Sequence, residues 1–210
     1  MKYILYGSRG SGSAAIEIAL GRCGIDFDVV RASTWEPDSA LDELGKVNPL
    51  RQIPTLVLPD GSVMTESAAI LIHLGLVFPD SGLLPQDPSA RAQSIRGLVF
   101  IAANCYSAIS INDSPERWTT ATEKAEQERV RQGARRRLHA HWAMFADIFP
   151  GTPFLAGAAP GALDVLAAVV SKWAGTRAYL AKERPEFSGL IGRIEADDAV
   201  AAVFRRHWDK

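Results

Sequence analysis

Thiols are scarce in this sequence. Cys23 and Cys105 are the two cysteines among 210 residues, and they stand far apart in no CxxC pair, which argues against a dithiol redox centre and a cysteine-built zinc site. A dominant charge is missing as well: 23 Lys and Arg against 24 Asp and Glu leave a formal net charge of −1, so no nucleic-acid partner is expected. Histidines are few. His73 sits in an apolar helix, and His139 and His141 at i,i+2 do not face one metal, so no metal site is expected. Apolar helical stretches are interrupted well before membrane-spanning length, and the first residues, with Lys2, lack a signal-peptide run. The expectation is a cytoplasmic protein with no membrane partner. What is present, 47% hydrophobic and 22% charged residues, suits a globular chain long enough to bury a core.

The first eighty residues alternate strand-like and helix-like text. Lys2–Tyr6 reads as a short strand, and Ala14–Gly24 as a helix with Ile16, Ala19, Leu20 and Cys23 at helical spacing, ended by Gly24. Phe27 and Val29 alternate with Asp26 and Asp28 as a half-buried strand. A weaker helix over Pro37–Lys46 follows, then strands at Thr55–Leu58 and Ser62–Met64 joined by the turn Pro59-Asp60-Gly61. An apolar helix closes the series at Glu66–Val77. The order is βαβαββα, an α/β layout with one crossover half and one hairpin half. After the Pro- and Gly-rich Phe78–Pro88, only helices are expected. One runs over Ser89–Ile111, one from Thr120 (with Glu123 as a capping box) to Phe149, one buried over Leu163–Ala178, and two shorter ones follow Pro185 and Ala196. The expected division is 1–80, a linker at 81–87, and an all-helical 88–210.

Glycine and serine crowd into one loop, YGSRGSGSA over residues 6–14, between the first strand and the first helix. Gly7 and Gly12 have the spacing of P-loop glycines, but Ser13 and Ala14 stand where that motif needs Lys and Ser/Thr, and no GxGxxG is present. What remains is a hydroxyl at a helix start, where free N–H groups and the helix dipole favour an anion and lower the pKa of a thiol. A plain N-cap by Ser11 or Ser13 is the competing explanation.

Two more stretches carry chemistry. NPLRQIPTL, Asn48–Leu56, puts Pro54 just before a strand. A cis bond after Ile53 would accommodate it and turn the Ile53 N–H and C=O toward an extended peptide; a trans proline opening an edge strand is the alternative. MTESAAIL, Met64–Leu71, places Glu66 and Ser67 at a helix start that Thr65 can cap. A carboxylate beside a hydroxyl and free amides suits a zwitterionic amino acid.

The βαβαββα half, the serine near its first helix start, NPLxQ(I/V)P, (T/M)ES and the all-helical remainder together resemble the cytosolic glutathione transferase superfamily over the whole chain. PERW, Pro115–Trp118, and the helix order are similar to bacterial members. The resemblance implies a thioredoxin-like first half that binds glutathione as co-substrate, without a metal. In that reading Ile53, before Pro54, pairs with the cysteinyl backbone. Glu66 and Ser67 take the γ-glutamyl end, and Gln52, with Arg51, reaches the glycine carboxylate. The thiol lies beside Ser11, Gly12 and Ser13, with Arg9 adding positive potential. The position of the cysteine in cysteine-type classes falls near Gly12, so a serine-type member is implied: Ser11 first, then Ser13, with Tyr6 as the tyrosine-type alternative. Phe100, Asn104 and Tyr106 are candidates for the pocket of a small hydrophobic electrophile, and a homodimer is implied. The family pattern is broken at Gly161-Ala162-Leu163-Asp164, where a capping Ser or Thr is replaced by glycine. Glutathione-dependent disulfide reduction and non-catalytic binding are the rival functions.

Overall fold

The structure, a computed structural model, describes residues 2–209; positions 1 and 210, the outer bounds expected of the two regions, lie outside the described residues. Strand β1, Tyr3–Gly7, is central. It pairs in parallel with β2, Phe27–Arg31, and antiparallel with β3, Thr55–Val57, which forms a hairpin with β4, Val63–Met64. The sheet order is β2-β1-β3-β4. The parallel pair requires the crossover supplied by α1, Ser13–Arg22, and the hairpin needs only the turn at Pro59–Ser62.

Side-chain alternation gives each face of the sheet its own core. Leu5 and Leu56 enter the large cluster with α1 and α3, Ser67–Val77, while Ile4, Tyr6 and Val57 turn to the opposite face against Leu44 of α2, Leu41–Val47. Helix α1 is buried along almost all its length because Ala14, Ala15 and Ala19 permit close packing. It stops at Gly24, whose φ of 66° needs no Cβ, with the Ile25 N–H bonded to the Leu20 carbonyl.

Beyond the expected linker the described residues are helical. Helix α4, Pro88–Phe100, is capped by Asp87, which accepts the Ala90 N–H at 2.8 Å. It continues through a π-helical turn, Ile101–Tyr106, into α5, Ser107–Asp113. The expectation that no helix reaches membrane-spanning length is therefore corrected: Pro88–Asp113 is one run of 26 residues, with a mean hydropathy of 1.4 in its most apolar window. Leu98, Ile101, Cys105 and Ala108 are buried in the core, which accounts for that apolarity. Helix α6, Lys124–Ile148, begins later than expected, because Thr119 and Glu123 are extended and the Thr120 capping box does not form.

The buried helix expected over Leu163–Ala178 is two helices. Helix α7, Ala162–Val170, ends at a turn where Ala174 and Gly175 both adopt positive φ, and α8, Thr176–Glu183, follows. Helices α9, Pro185–Ala196, and α10, Asp198–Trp208, complete the chain. One apolar core runs from β1 and α1 through α4, α6, α7, α9 and α10.

Asp164 organises the start of α7. Its carboxylate accepts N–H groups from Leu155 at 2.7 Å, Ala156 at 2.9 Å and Gly161 at 2.9 Å. Burial pushes its carboxyl up, and the three donors oppose that. With glycine at 161 the return bond of a capping box is missing, so the carboxylate carries the cap alone. Asp164→Ala strands three donors at roughly 1–3 kcal/mol each, and a loss of about 3 kcal/mol or more is expected in urea unfolding.

Candidate functional site

A cleft of about 770 Å³ separates the sheet's loops from the helical region, within the range of small-molecule sites, roughly 300–1,000 Å³. Four loop segments line one side: Gly10–Gly12, Ala32–Trp35, Asn48 with Leu50–Pro54, and Thr65–Ala68. The other side is formed by Ala102, Tyr106, Ile109, Ser110, Arg117 and Trp173. The structure thus brings together Ser11, Gly12, Gln52, Ile53, Pro54, Glu66, Ser67 and Tyr106 from the sequence expectations.

Each loop is held by identifiable bonds. The buried Asn48 side chain donates to the Gln52 carbonyl at 3.0 Å and to Thr55 Oγ1 at 2.9 Å, and its Oδ1 accepts the Leu50 N–H at 3.1 Å. That staple shapes the segment up to the Ile53–Pro54 bond, which is cis. No hydrogen-bond partner of the Ile53 N–H or C=O is found among the described residues. At the start of α3 the N-cap is Glu66, at φ 65° and ψ 109°, and no side chain caps the helix, so Thr65 does not take the expected role. Holding a non-glycine residue there costs about 1–3 kcal/mol, and such strain clusters at functional sites. The uncapped amides beside the Ser67 hydroxyl face an anion's position.

The β1–α1 loop is tighter still. The Ser11 hydroxyl donates to the Ser8 carbonyl at 2.7 Å, lies 2.9 Å from Ser13 Oγ, and accepts the Ser13 N–H at 3.2 Å. The N–H groups of Ser11 and Gly12 have no acceptor among the described residues. From the far end of the chain, His207 Nδ1 accepts the Gly10 N–H at 3.2 Å, which leaves its Nε2 to donate to Glu17 Oε1 at 2.7 Å.

Five expected residues lie elsewhere. Tyr6 points to the α2 face by strand alternation and donates to Glu43 Oε1 at 2.6 Å; burial and that carboxylate push its phenol up to about 12. Ser13 is fully buried against Gly7 and serves Ser8, as its position one residue inside the helix dictates. Arg9 reaches the Asp209 carbonyl at 2.8 Å on the exposed side of the loop. Phe100 packs on Phe145 and Phe149, and the Asn104 amide turns back to the Phe100 carbonyl at 3.0 Å, because both project toward α6 rather than the cleft. Trp35 and Trp173 line the cleft but sit in no motif, so nothing in the sequence singled them out. A second cavity, about 590 Å³ between the ends of α6 and α8 and the start of α9, holds none of the sequence-selected residues, and its Arg184 is tied to Asp147 at 2.8 and 2.9 Å.

Neither cysteine lines the cleft. Burial pushes the Cys105 thiol up to about 12, so it is expected to stay unmodified by a disulfide reagent at pH 8 until the protein is unfolded, in a thiol count taken with and without denaturant. Tyr6→Phe removes one bond to a carboxylate and is expected to cost about 1–3 kcal/mol in denaturant unfolding. Ligand binding in the cleft should change less than about twofold by calorimetry, since both faces of that residue's packing lie away from it.

Known proteins share this arrangement. The family described as glutathione S-transferase, N-terminal domain, matches residues 13–76. The uncharacterized GST-like protein YncG of Escherichia coli K12 is 39% identical over 116 residues, 54% of this chain and 56% of that one. A probable maleylacetoacetate isomerase of Caenorhabditis elegans is 37% identical over 104 residues, 49% of this chain and 47% of its own. The chain thus spans about half the length of these two relatives. Glutathione S-transferase GstA of Escherichia coli O157:H7 is 31% identical over 144 residues, 66% of this chain and 71% of that protein. A glutathione transferase homolog from Sulfitobacter, solved with bound glutathione, superposes with a TM-score of 0.81 at 25% identity over 98% of both chains. With a cysteine-free cleft, a thioredoxin-like half and an all-helical remainder, the chain belongs to the glutathione S-transferase family.

Proposed function

We propose that the cleft binds glutathione and converts its thiol to a thiolate for attack on a small electrophile, the activity of a glutathione S-transferase. The observation that carries this reading is the convergence of unbonded backbone groups on one cavity: the Ile53 N–H and C=O, the Ser11 and Gly12 N–H groups, and the uncapped start of α3. Glu66 accepts from the γ-glutamyl ammonium, and the Ser67 N–H and hydroxyl hold its carboxylate. The Ile53 backbone pairs with the cysteinyl residue, and Gln52 with Arg51 serves the glycine carboxylate. In this reading residues 1–80 hold glutathione, 81–87 connect, and 88–210 supply the electrophile's wall. The exposed apolar Leu76, Val77 and Val99 support a homodimer through α3 and α4, in the cytoplasm.

The magnitudes are adequate. A thiol of pKa about 8.5 is roughly 3% ionised at pH 7, and lowering it by two units takes about 2.7 kcal/mol. One hydrogen bond from a neutral donor to the sulfur, at about 1.5–3 kcal/mol, together with a helix start at about 0.3–1, supplies that. The thiol proton goes to water. The sulfur lone pair then forms a bond to the electrophilic carbon, and the leaving group departs with its electron pair.

One observation favours a second reaction of the same thiolate. Arg117 lies on the outer wall near Ser110 and Ser114, with no carboxylate partner among the described residues. A cation there suits an unsaturated acid, to which the thiolate would add and from which it would leave again after bond rotation, as the name of the nematode relative suggests. Calorimetry with glutathione is expected to give 1:1 binding, and a chlorodinitrobenzene assay to give conjugate at a rate rising with pH through the thiol pKa. Isomerisation of a cis-unsaturated acid without conjugation would select the second reaction. Binding without either product would favour a non-catalytic role, and absent binding would overturn the site.

A further inference from the structure

The hydroxyls expected to face the sulfur are already committed. Ser11 gives its proton to the Ser8 carbonyl at 2.7 Å, and Ser13 is fully buried with bonds to the same residue. The hydroxyl that does reach the helix start comes from the opposite side of the cleft. Tyr106 Oη lies against the Gly12 backbone so closely that a Cβ at residue 12 would occupy its place, with Pro54 on the other side of the same glycine. No hydrogen-bond partner of Tyr106 Oη is found within the 3.5 Å limit of a bond among the described residues. Its ring is backed by Trp173, with centroids 5.9 Å apart.

The backbone that carries it is unusual. Tyr106 ends the π-helical turn Ile101–Tyr106, and such wide turns interrupt α-helices mostly where function requires a shifted side chain. Side chains support the turn: Asn104 Nδ2 donates to the Phe100 carbonyl at 3.0 Å, and His141 Nδ1 donates to the Asn104 carbonyl at 2.9 Å. One residue added to the turn rotates the remainder of the run by about 100° relative to an uninterrupted helix. That rotation brings the tyrosine, on the same run as the buried Cys105, to the cleft.

We propose that Tyr106, delivered by the π-helical turn, is the catalytic hydroxyl that donates a hydrogen bond to the glutathione sulfur beside the Ser11 and Gly12 amides. The inference rests on glutathione being the ligand of the cleft. Burial pushes the Tyr106 phenol up to about 12, opposed by Ser67 and reinforced by the Glu66 carboxylate. It therefore stays protonated through neutral pH and acts as a donor, not as a base. The thiol proton leaves to water, and the tyrosine keeps its own.

Tyr106→Phe removes the donor and little else. The readouts are the pH dependence of thiolate absorbance for bound glutathione, the pH profile of kcat/KM for conjugation, and affinity for S-methylglutathione, which has no thiol to ionise. The thiol titration is expected to move up by about one to two pH units and kcat/KM at pH 7 to fall about tenfold to hundredfold, with activity recovering as pH rises. S-methylglutathione affinity should change less than about threefold, a combination that mere loosening of the fold would not produce. An unmoved titration in folded Tyr106→Phe overturns the proposal, as does a shift of that size in Ser11→Ala alone. Failure of wild type to bind either glutathione or its S-methyl derivative would instead overturn the glutathione site, and this role with it.

Discussion

The close approach of two chain segments at Gly12 governs the layout of the cleft. Both the Pro54 ring and the Tyr106 hydroxyl stand within contact distance of that residue's missing Cβ. Gly7, at the other end of the loop, is closed over by the Ser13 side chain. Between them the serines bond to one another and to Ser8, so the loop is rigid without being packed by large side chains. Glycine here supplies proximity instead of freedom. Neither Gly7 nor Gly12 adopts positive φ, whereas Gly10 does, at 68°, where the chain must turn.

Distant parts of the chain support that loop. Helix α1 is buried among α3, α7 and α10, so its first turn is held by the core and not by its own short length. Helix α10 adds a direct tie: His207 is bonded on one nitrogen to Gly10 and on the other to Glu17, which also meets Arg206 at 3.3 Å. A charge as deeply placed as Glu17 is tolerable only with such partners. The C-terminal helix therefore sets the position of amides nearly 200 residues earlier in the chain.

Much of this was readable from sequence because the signals were local. The alternation in the first strand, the glycine stop at Gly24, the Pro-Asp-Gly turn and the apolar α3 each declare themselves within a few residues. The three motif segments were found for the same reason, since Asn48, Glu66 and the glycine loop act on neighbours a few positions away. What escaped depends on which way a side chain turns. Tyr6 and Leu5 look equivalent as text, and alternation sends one to α2 and the other to α1. The apolar run after Leu163 hides a break at Ala174-Gly175, whose positive φ values put Trp173 at the cleft. The π turn shifts the register of everything after Ile101, so helical spacing grouped Phe100, Asn104 and Tyr106 as one wall and only the last is there.

Gly12 and Tyr106 also constrain one another chemically. A side chain at residue 12 and a tyrosine at residue 106 compete for one volume, so this cleft holds either a nucleophile on the loop or a hydroxyl from the helix. A loop cysteine would form a mixed disulfide with glutathione and make the thiol its leaving group or partner. A phenol can only donate a hydrogen bond to the sulfur, which leaves glutathione free to attack carbon. With glycine at 12 and both native cysteines outside the cleft, covalent disulfide exchange with a protein thiol has no sulfur to start from. Disulfide reduction here would need two glutathione molecules to complete the electron balance. Addition or substitution at carbon needs one, and the single cleft with one set of unbonded backbone groups is built for one.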